Sequence, residues 1–97
     1  MDVTTLRTLL KQHQPELRER YAVASLLLFG SVARGQASAA SDIDLLVEFE
    51  RPVGYFGLVA LQEYLSSILA MPVDLGTLRS LKPRIRSRVE KDLQRVL

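Results

Sequence analysis

The sequence contains no cysteine and a single histidine, His13. Without cysteine there is no disulfide, no thiolate nucleophile and no cysteine-bound zinc, and one histidine excludes a multi-histidine metal site. Any bound metal must therefore be held by carboxylate oxygens, which suits hard cations such as Mg²⁺. We expect His13 on a helix surface and assign it no role.

Long hydrophobic runs are also missing. The longest run, residues 22–29, is interrupted only by Ser25 and is far shorter than the roughly 20 residues that cross a membrane. The start of the chain has no basic stretch leading into an apolar one, so we predict no secretory signal. These features predict a cytoplasmic protein that does not interact with a membrane.

The chain has the size and balance of one compact domain, which we assign to residues 1–97. Of its 97 residues, 47% are hydrophobic and 25% are charged. A domain of this length buries only about 60–65% of its unfolded surface. A protein partner that covers further apolar area would therefore be useful to it.

Charge is unevenly distributed along the chain. Residues 1–78 carry six basic and nine acidic side chains, whereas residues 79–97 carry seven basic and two acidic ones. The basic segment could attract phosphate groups or an acidic partner. The alternative, which we favour, is the solvated face of a terminal helix.

The hydrophobic pattern predicts an α/β or α+β domain, with a small mixed β-sheet flanked by helices. We expect helices at the N-terminus, after Pro15, over residues 55–70 and over about 81–96. Strands are predicted at 23–29, 43–49 and 73–75, the last of them ended by Gly76. The final helix should turn four apolar residues inward: Ile85, Val89, Leu93 and Val96.

Helix 55–70 is predicted to have one wide apolar face that includes Phe56, Leu65 and Leu69. Exposed apolar residues of this helix are candidate contacts for a partner, with Tyr55, Phe56 and Leu58 as the candidates. For any one of the three, however, packing in the core is the interpretation we favour.

A glycine-serine pair follows the first predicted strand, in the segment Gly30-Ser31-Val32-Ala33-Arg34-Gly35. A glycine there lets backbone N–H groups approach a ligand, and a helix N-terminus favours anions such as phosphate. Ser31 adds a hydroxyl, and Arg34 could reach back with a charged fork. A turn and helix cap without a ligand is the alternative that this segment alone leaves open.

Three aspartates are candidates for metal binding. Asp42 and Asp44 alternate at the start of the second strand, so both carboxylates should lie on one face. Asp74 lies in the third strand and would join them if the two strands are neighbours. Neighbouring carboxylates repel unless a cation neutralises them, which predicts a site for two metal ions that hold a nucleoside triphosphate. The alternative is that Asp42 caps the loop, while Asp44 and Asp74 are strand-end residues that point to solvent.

Together these segments resemble the minimal nucleotidyltransferase family of the DNA polymerase beta superfamily. The family pattern is Gly-Ser, two residues, Arg-Gly, a five-residue gap and Ser-Asp-x-Asp. It appears here from Gly30 to Gly35 and from Ser41 to Asp44, and the later Asp74 also matches. The resemblance covers nearly the whole chain and implies a polymerase-beta-like fold.

The resemblance also implies roles for individual residues. Gly30 and Ser31 would hold the triphosphate of ATP, and we place Ser41 in the same nucleotide-binding group. Arg34 would contact phosphate or form a salt bridge with an acid. The catalytic residues would be Asp42, Asp44 and Asp74. The same three carboxylates would bind two Mg²⁺ ions or, alternatively, Mn²⁺. Asp74 would in addition help to take up the proton of the attacking hydroxyl.

Members of this family are typically antitoxins encoded beside a helical HEPN ribonuclease toxin. The resemblance therefore implies a type VII-like system in which AMP is transferred from ATP to a tyrosine hydroxyl of the toxin. One alternative is an antitoxin that neutralises its partner by binding alone. The other is a nucleotidyltransferase that acts on RNA or a small molecule and uses the basic C-terminal segment as a nucleic-acid contact.

Overall fold

The computed structural model describes residues 1–33, 35, 42–77, 83, 87, 91 and 93–97, with the backbone alone for Ser31. In chain order its elements are α1 (Val3–Gln12), α2 (Gln14–Glu19), β1 (Val23–Phe29), α3 (Gly30–Ala33), β2 (Ile43–Phe49), α4 (Tyr55–Leu69), β3 (Val73–Thr77) and β4 (Gln94–Arg95). Among the described residues, no helix is both long and apolar enough to cross a membrane.

The four strands form one mixed sheet in the order β3-β2-β1-β4. β1 is antiparallel to both β2 and β4, whereas β2 and β3 run parallel. The predicted fold class, a small mixed sheet with flanking helices, is therefore confirmed. The prediction that the second and third strands are neighbours in the sheet is confirmed as well.

The hydrophobic core lies on one face of the sheet. Ile43, Leu45 and Val47 alternate along β2 and are buried there, together with Val73 and Leu75 of β3. The helices contribute six buried leucines to the same cluster: Leu6, Leu10, Leu17, Leu61, Leu65 and Leu69. Because the alternate side chains of β2 and β3 point to the opposite face, Asp44 and Asp74 face away from this core.

Helix α4 also protects the outer edge of β3. The backbone N–H of Val73 donates to Ser66 Oγ at 3.1 Å, and the N–H of Leu75 donates to Gln62 Oε1 at 3.1 Å. Unpaired N–H groups on an edge strand invite pairing with other chains. The two helix side chains remove this hazard and fix β3, and hence Asp74, relative to α4.

A polar network joins the α1–α2 junction to α4. The Tyr64 hydroxyl donates to Glu16 Oε2 at 2.8 Å and lies 3.2 Å from His13 Nδ1. Since the hydroxyl has one proton to give, His13 must donate to the phenol oxygen from Nδ1. Tyr21 stacks on Tyr64 with ring centroids 4.7 Å apart. His13 is thus a half-buried structural residue and not the surface residue that the sequence predicted.

Two predicted boundaries were wrong. The third strand does not end at Gly76 but continues to Thr77, which pairs with Val47 of β2. The final helix does not reach residue 96, because residues 94–95 form β4. β4 pairs with Leu27 and Leu28 on the side of β1 that β2 does not cover. It thereby supplies hydrogen-bond partners for backbone N–H and C=O groups of β1. Val96 is buried in the core as predicted, and Ile85 and Val89 lie outside the described residues.

Phe56 was also placed wrongly. The buried stripe of α4 is Leu61, Leu65 and Leu69, at intervals of four residues. At 100° per residue, Phe56 lies about 140° around the helix from Leu61, and its side chain is 87% exposed. Packing in the core, the interpretation favoured from the sequence, is therefore wrong for Phe56 and for the exposed Tyr55, whereas Leu58 is half-buried against the core.

Candidate functional site

Two of the three predicted carboxylates lie side by side on adjacent parallel strands. In the register of β2 and β3, Asp44 is directly paired with Asp74. Paired residues project to the same face of a sheet, and neighbouring strands are about 4.8 Å apart. Asp44 is half-buried and Asp74 is exposed, between the buried side chains of Val73 and Leu75. The strand pairing thus places both carboxylates on the face opposite the hydrophobic core.

Asp42 lies just before β2 and is exposed. It is two residues from Asp44, and alternation along an extended chain directs both side chains to the same face. The N–H of the intervening Ile43 donates to the carbonyl of Pro72 at 2.9 Å. This bond ties the start of β2 to the start of β3, where all three aspartates lie.

The glycine-serine segment meets the aspartates at Gly30. Phe29 of β1 is paired with Asp44 of β2, so Gly30 emerges beside this carboxylate. Gly30 has φ +78°, a left-handed conformation that side chains rarely adopt, and a Cβ built on it would overlap Asp44 Oδ2. The site therefore needs glycine here for two reasons, its backbone conformation and its contact with the carboxylate.

The other predicted phosphate-binding residues are Ser31, Arg34 and Ser41. Arg34 and Ser41 lie outside the described residues, and for Ser31 only the backbone, in the first turn of α3, is described. The structure thus places Gly30 against Asp44 and pairs Asp44 with Asp74, while Asp42 lies two residues before Asp44. The predicted roles of Arg34 and Ser41 and of the Ser31 hydroxyl remain predictions.

Gln94 is a positioning residue that the sequence did not suggest. Its Nε2 donates to the carbonyl oxygen of Ala33 at 3.0 Å, and this bond is partly buried. It fastens the end of α3, the short helix that begins at Gly30, to strand β4. No sequence signal marks it, because a glutamine within a segment predicted as helix looks like an ordinary surface residue.

The donor set suits a hard divalent cation. Carboxylate oxygens are the ligands that Mg²⁺ and Mn²⁺ prefer, and Mg²⁺ usually keeps several waters and takes one or two carboxylates from the protein. No three acidic or histidine side chains of the described residues are close enough to form a ready-made metal cluster. The paired Asp44 and Asp74 fit a site completed by water and substrate phosphate, with Gly30 leaving space beside Asp44.

Comparison with known proteins identifies the family. The profile of the nucleotidyltransferase domain matches residues 10–96. This chain belongs to the nucleotidyltransferase domain family. Protein adenylyltransferase MntA of Thermococcus cleftensis is 39% identical over 88 residues, which are 91% of this chain and 89% of that protein.

Solved structures relate this nucleotidyltransferase to the minimal members of the family. A structure provisionally described as a minimal nucleotidyltransferase has a TM-score of 0.80 and 36% identity, and the match covers 97% of this chain and 95% of that one. A toxin-antitoxin structure with AMP-PNP has a TM-score of 0.71 and 25% identity, covering 100% of this chain and 73% of that one. The polymerase-beta-like fold predicted from the motifs is confirmed by these matches.

Proposed function

We propose that this nucleotidyltransferase is an antitoxin that transfers AMP from ATP to a tyrosine hydroxyl of a HEPN-class toxin. The observation that carries the proposal is the convergence of two motifs at one place, with Gly30 against Asp44 and Asp44 paired with Asp74. The similarity to protein adenylyltransferase MntA and to the toxin-antitoxin structure with AMP-PNP supports it. A cytoplasmic location follows from this function and is part of the proposal.

The reaction is an in-line displacement at the α-phosphorus of ATP. The tyrosine oxygen forms a bond to this phosphorus, the bond to the oxygen that bridges the α- and β-phosphates breaks, and pyrophosphate leaves. Asp74, the more exposed of the paired carboxylates, would take up the hydroxyl proton. Gly30 presents backbone N–H groups to the triphosphate without a Cβ in the way.

Asp42, Asp44 and Asp74 are the residues that would hold divalent cations. Bound Mg²⁺, or alternatively Mn²⁺, would lower the pKa of the attacking hydroxyl and neutralise charge on the triphosphate and on departing pyrophosphate. Ser31, Arg34 and Ser41 complete the proposed nucleotide site. Residues 1–97 form, in this proposal, one domain that carries the whole transferase machinery.

An antitoxin that acts by binding alone is the main competing function. The Asp42→Asn, Asp44→Asn double variant separates the two, because it keeps side-chain volume and removes the charges. Protection of cells from the toxin should be lost in the double variant while the complex still forms. Protection that survives without the carboxylates would contradict the enzymatic account.

A further inference from the structure

The first turn of α4 presents two exposed aromatic rings. Tyr55 is 74% exposed and Phe56 is 87% exposed, and Met1, at 37%, is the next large hydrophobic side chain in the described part of the chain. The two rings pack edge to face with centroids 6.0 Å apart. Large exposed aromatic rings, which have only two rotatable side-chain bonds each, are typical of the anchors of protein interfaces. We call Tyr55 and Phe56 the aromatic patch.

A groove of about 470 Å³ lies beside the aromatic patch. Tyr55 forms one wall, and apolar side chains from the end of β2, the following loop and α4 line the rest: Val47, Phe49, Val53 and Leu58. The groove therefore offers a place for an aliphatic or aromatic side chain of a partner. It lies at the opposite end of β2 from Asp44.

The groove is positively charged. Arg51 lines it and makes no ion pair with any described residue, since the neighbouring Glu50 is engaged with Arg18 at 3.6 Å. Arg51 also lines a second, adjoining groove, in which Arg20 is already paired with Glu16 at 3.1 Å. The first turn of α4 carries no acidic side chain that could offset the charge of Arg51. A carboxylate is the group that complements this surface.

We propose that the aromatic patch and its groove dock the acceptor protein of the AMP transfer, through an apolar side chain flanked by a carboxylate. This inference rests on the proposed function, since it names where the same acceptor binds. A second copy of this chain fits poorly. A symmetric dimer places the same patch on both sides of the interface, and the residues that line the groove include no carboxylate that could complement Arg51.

The position of the patch predicts binding at two points. From Asp44 to Phe49 the chain advances five residues along β2, a distance of about 17 Å. An acceptor anchored at the groove must therefore present its reacting hydroxyl from another segment of its own chain, about 17 Å from the anchoring side chain. The patch should strengthen binding of the acceptor and leave the chemical step unchanged, because no patch residue reaches the carboxylates.

The test uses the purified chain and a HEPN-class toxin, the proposed acceptor. One variant combines Tyr55→Ala with Phe56→Ala, and a second carries Arg51→Glu. Lys11→Glu, at an exposed position of α1 outside the groove, changes the net charge by the same amount as Arg51→Glu and is the matched control. We expect both patch variants to raise the Kd for the toxin at least about tenfold and the control to leave it unchanged. The kcat at saturating toxin should stay at the wild-type value in all three.

The outcomes separate the docking proposal from the proposed function. Normal AMP transfer with an unchanged Kd in both patch variants would overturn the docking surface and leave the transferase intact. A raised Kd in both variants, with no AMP on the toxin in any sample, would support the docking surface and overturn the proposed transferase function. Loss of a dimer of the chain alone in the aromatic variant, with toxin affinity unchanged, would assign the patch to a second copy and also overturn the proposal.

Discussion

The backbone of Gly30 touches the carboxylate of Asp44, although the two residues are fourteen positions apart in the chain. A Cβ on Gly30 would lie 3.1 Å from Asp44 Cγ and would overlap the nearer oxygen. The aspartate strand thus leaves no room for a side chain at residue 30 of the glycine-serine segment. A side chain there would have to displace the Asp44 carboxylate.

Gly30→Ala should therefore reduce activity more than it reduces stability. The left-handed backbone of Gly30 costs a residue with a Cβ about 1–2 kcal/mol, and the new methyl group must in addition push the Asp44 carboxylate aside. We expect at least about a hundredfold loss of AMP transfer, which corresponds to about 2.7 kcal/mol of transition-state stabilisation. Single-turnover kinetics and urea unfolding of the same samples measure the two effects.

Gly35→Ala is the matched control for this substitution. Gly35 also has a left-handed backbone, with φ +70°, but no atom of the described residues lies within 4 Å of the Cβ it would gain. The control should lose about the same 1–2 kcal/mol of stability and keep most of its activity. Equal losses of activity in the two variants would show that strain, and not the contact with Asp44, explains the requirement for glycine.

Asp74→Asn tests the pairing of the two carboxylates without measuring activity. Like charges directly opposite each other destabilise a sheet, so the substitution should stabilise the metal-free protein by up to about 1 kcal/mol. Mg²⁺ should raise the Tm of the wild type more than that of the variant, because a ligand stabilises the folded state that binds it. Thermal unfolding with and without Mg²⁺, in the presence of EDTA for the metal-free samples, gives both values. An equal Mg²⁺ effect in both proteins would exclude Asp74 as a ligand.

Gln94→Ala tests the link between β4 and α3. Loss of the bond to the Ala33 carbonyl should cost about 1 kcal/mol of stability and loosen the helix that follows Gly30. We expect the KM for ATP to rise several-fold with little change in kcat. Gln94→Glu, which keeps the shape but cannot donate when ionised, should behave like the alanine variant. A normal KM in both variants would contradict a positioning role.

The sequence predicted the sheet and the aspartates well because each depends on a local pattern. The apolar run 23–29 and the alternation at Asp42 and Asp44 indicate strands regardless of what packs on them. The pairing of Asp74 with Asp44 required only the assumption that two parallel strands are neighbours, and the register confirms it. Hydrophobic periodicity does not indicate which acidic residues form one site. The match to the family motif grouped Asp42, Asp44 and Asp74.

The errors have a different origin, since each concerns a residue whose place depends on distant parts of the chain. Residues 94–95 became a strand because β1 had an unpaired edge, which is not visible in their own sequence. Gly76 did not end β3, because pairing with Leu46 holds it extended. Phe56 follows helical spacing loosely, and only the position of the Leu61, Leu65 and Leu69 stripe shows that it faces outward.

The stability of the chain should fall at high pH because of Tyr64. Burial and, second, the bond to Glu16 raise the pKa of Tyr64 from its ordinary value of 10.0 to about 12. A pKa raised by folding favours the folded state fully below pH 10, and this contribution is lost as the pH rises toward about 12. The difference in free energy of unfolding between the wild type and Tyr64→Phe should therefore shrink across this window. A difference that stays constant from pH 9 to about 12 would contradict the shifted pKa.

In the proposed reaction the chain transfers AMP from ATP to a hydroxyl of a protein acceptor, and Asp42 and Asp44 hold the metal ions that this transfer needs. The most direct measurement is the intact mass of the co-expressed toxin after incubation with ATP and Mg²⁺, with the wild-type chain and with its Asp42→Asn, Asp44→Asn form. We expect a gain of whole AMP units with the wild type and none with the double variant. An unchanged toxin mass in a complex that still forms, or an equal gain with both proteins, would contradict it.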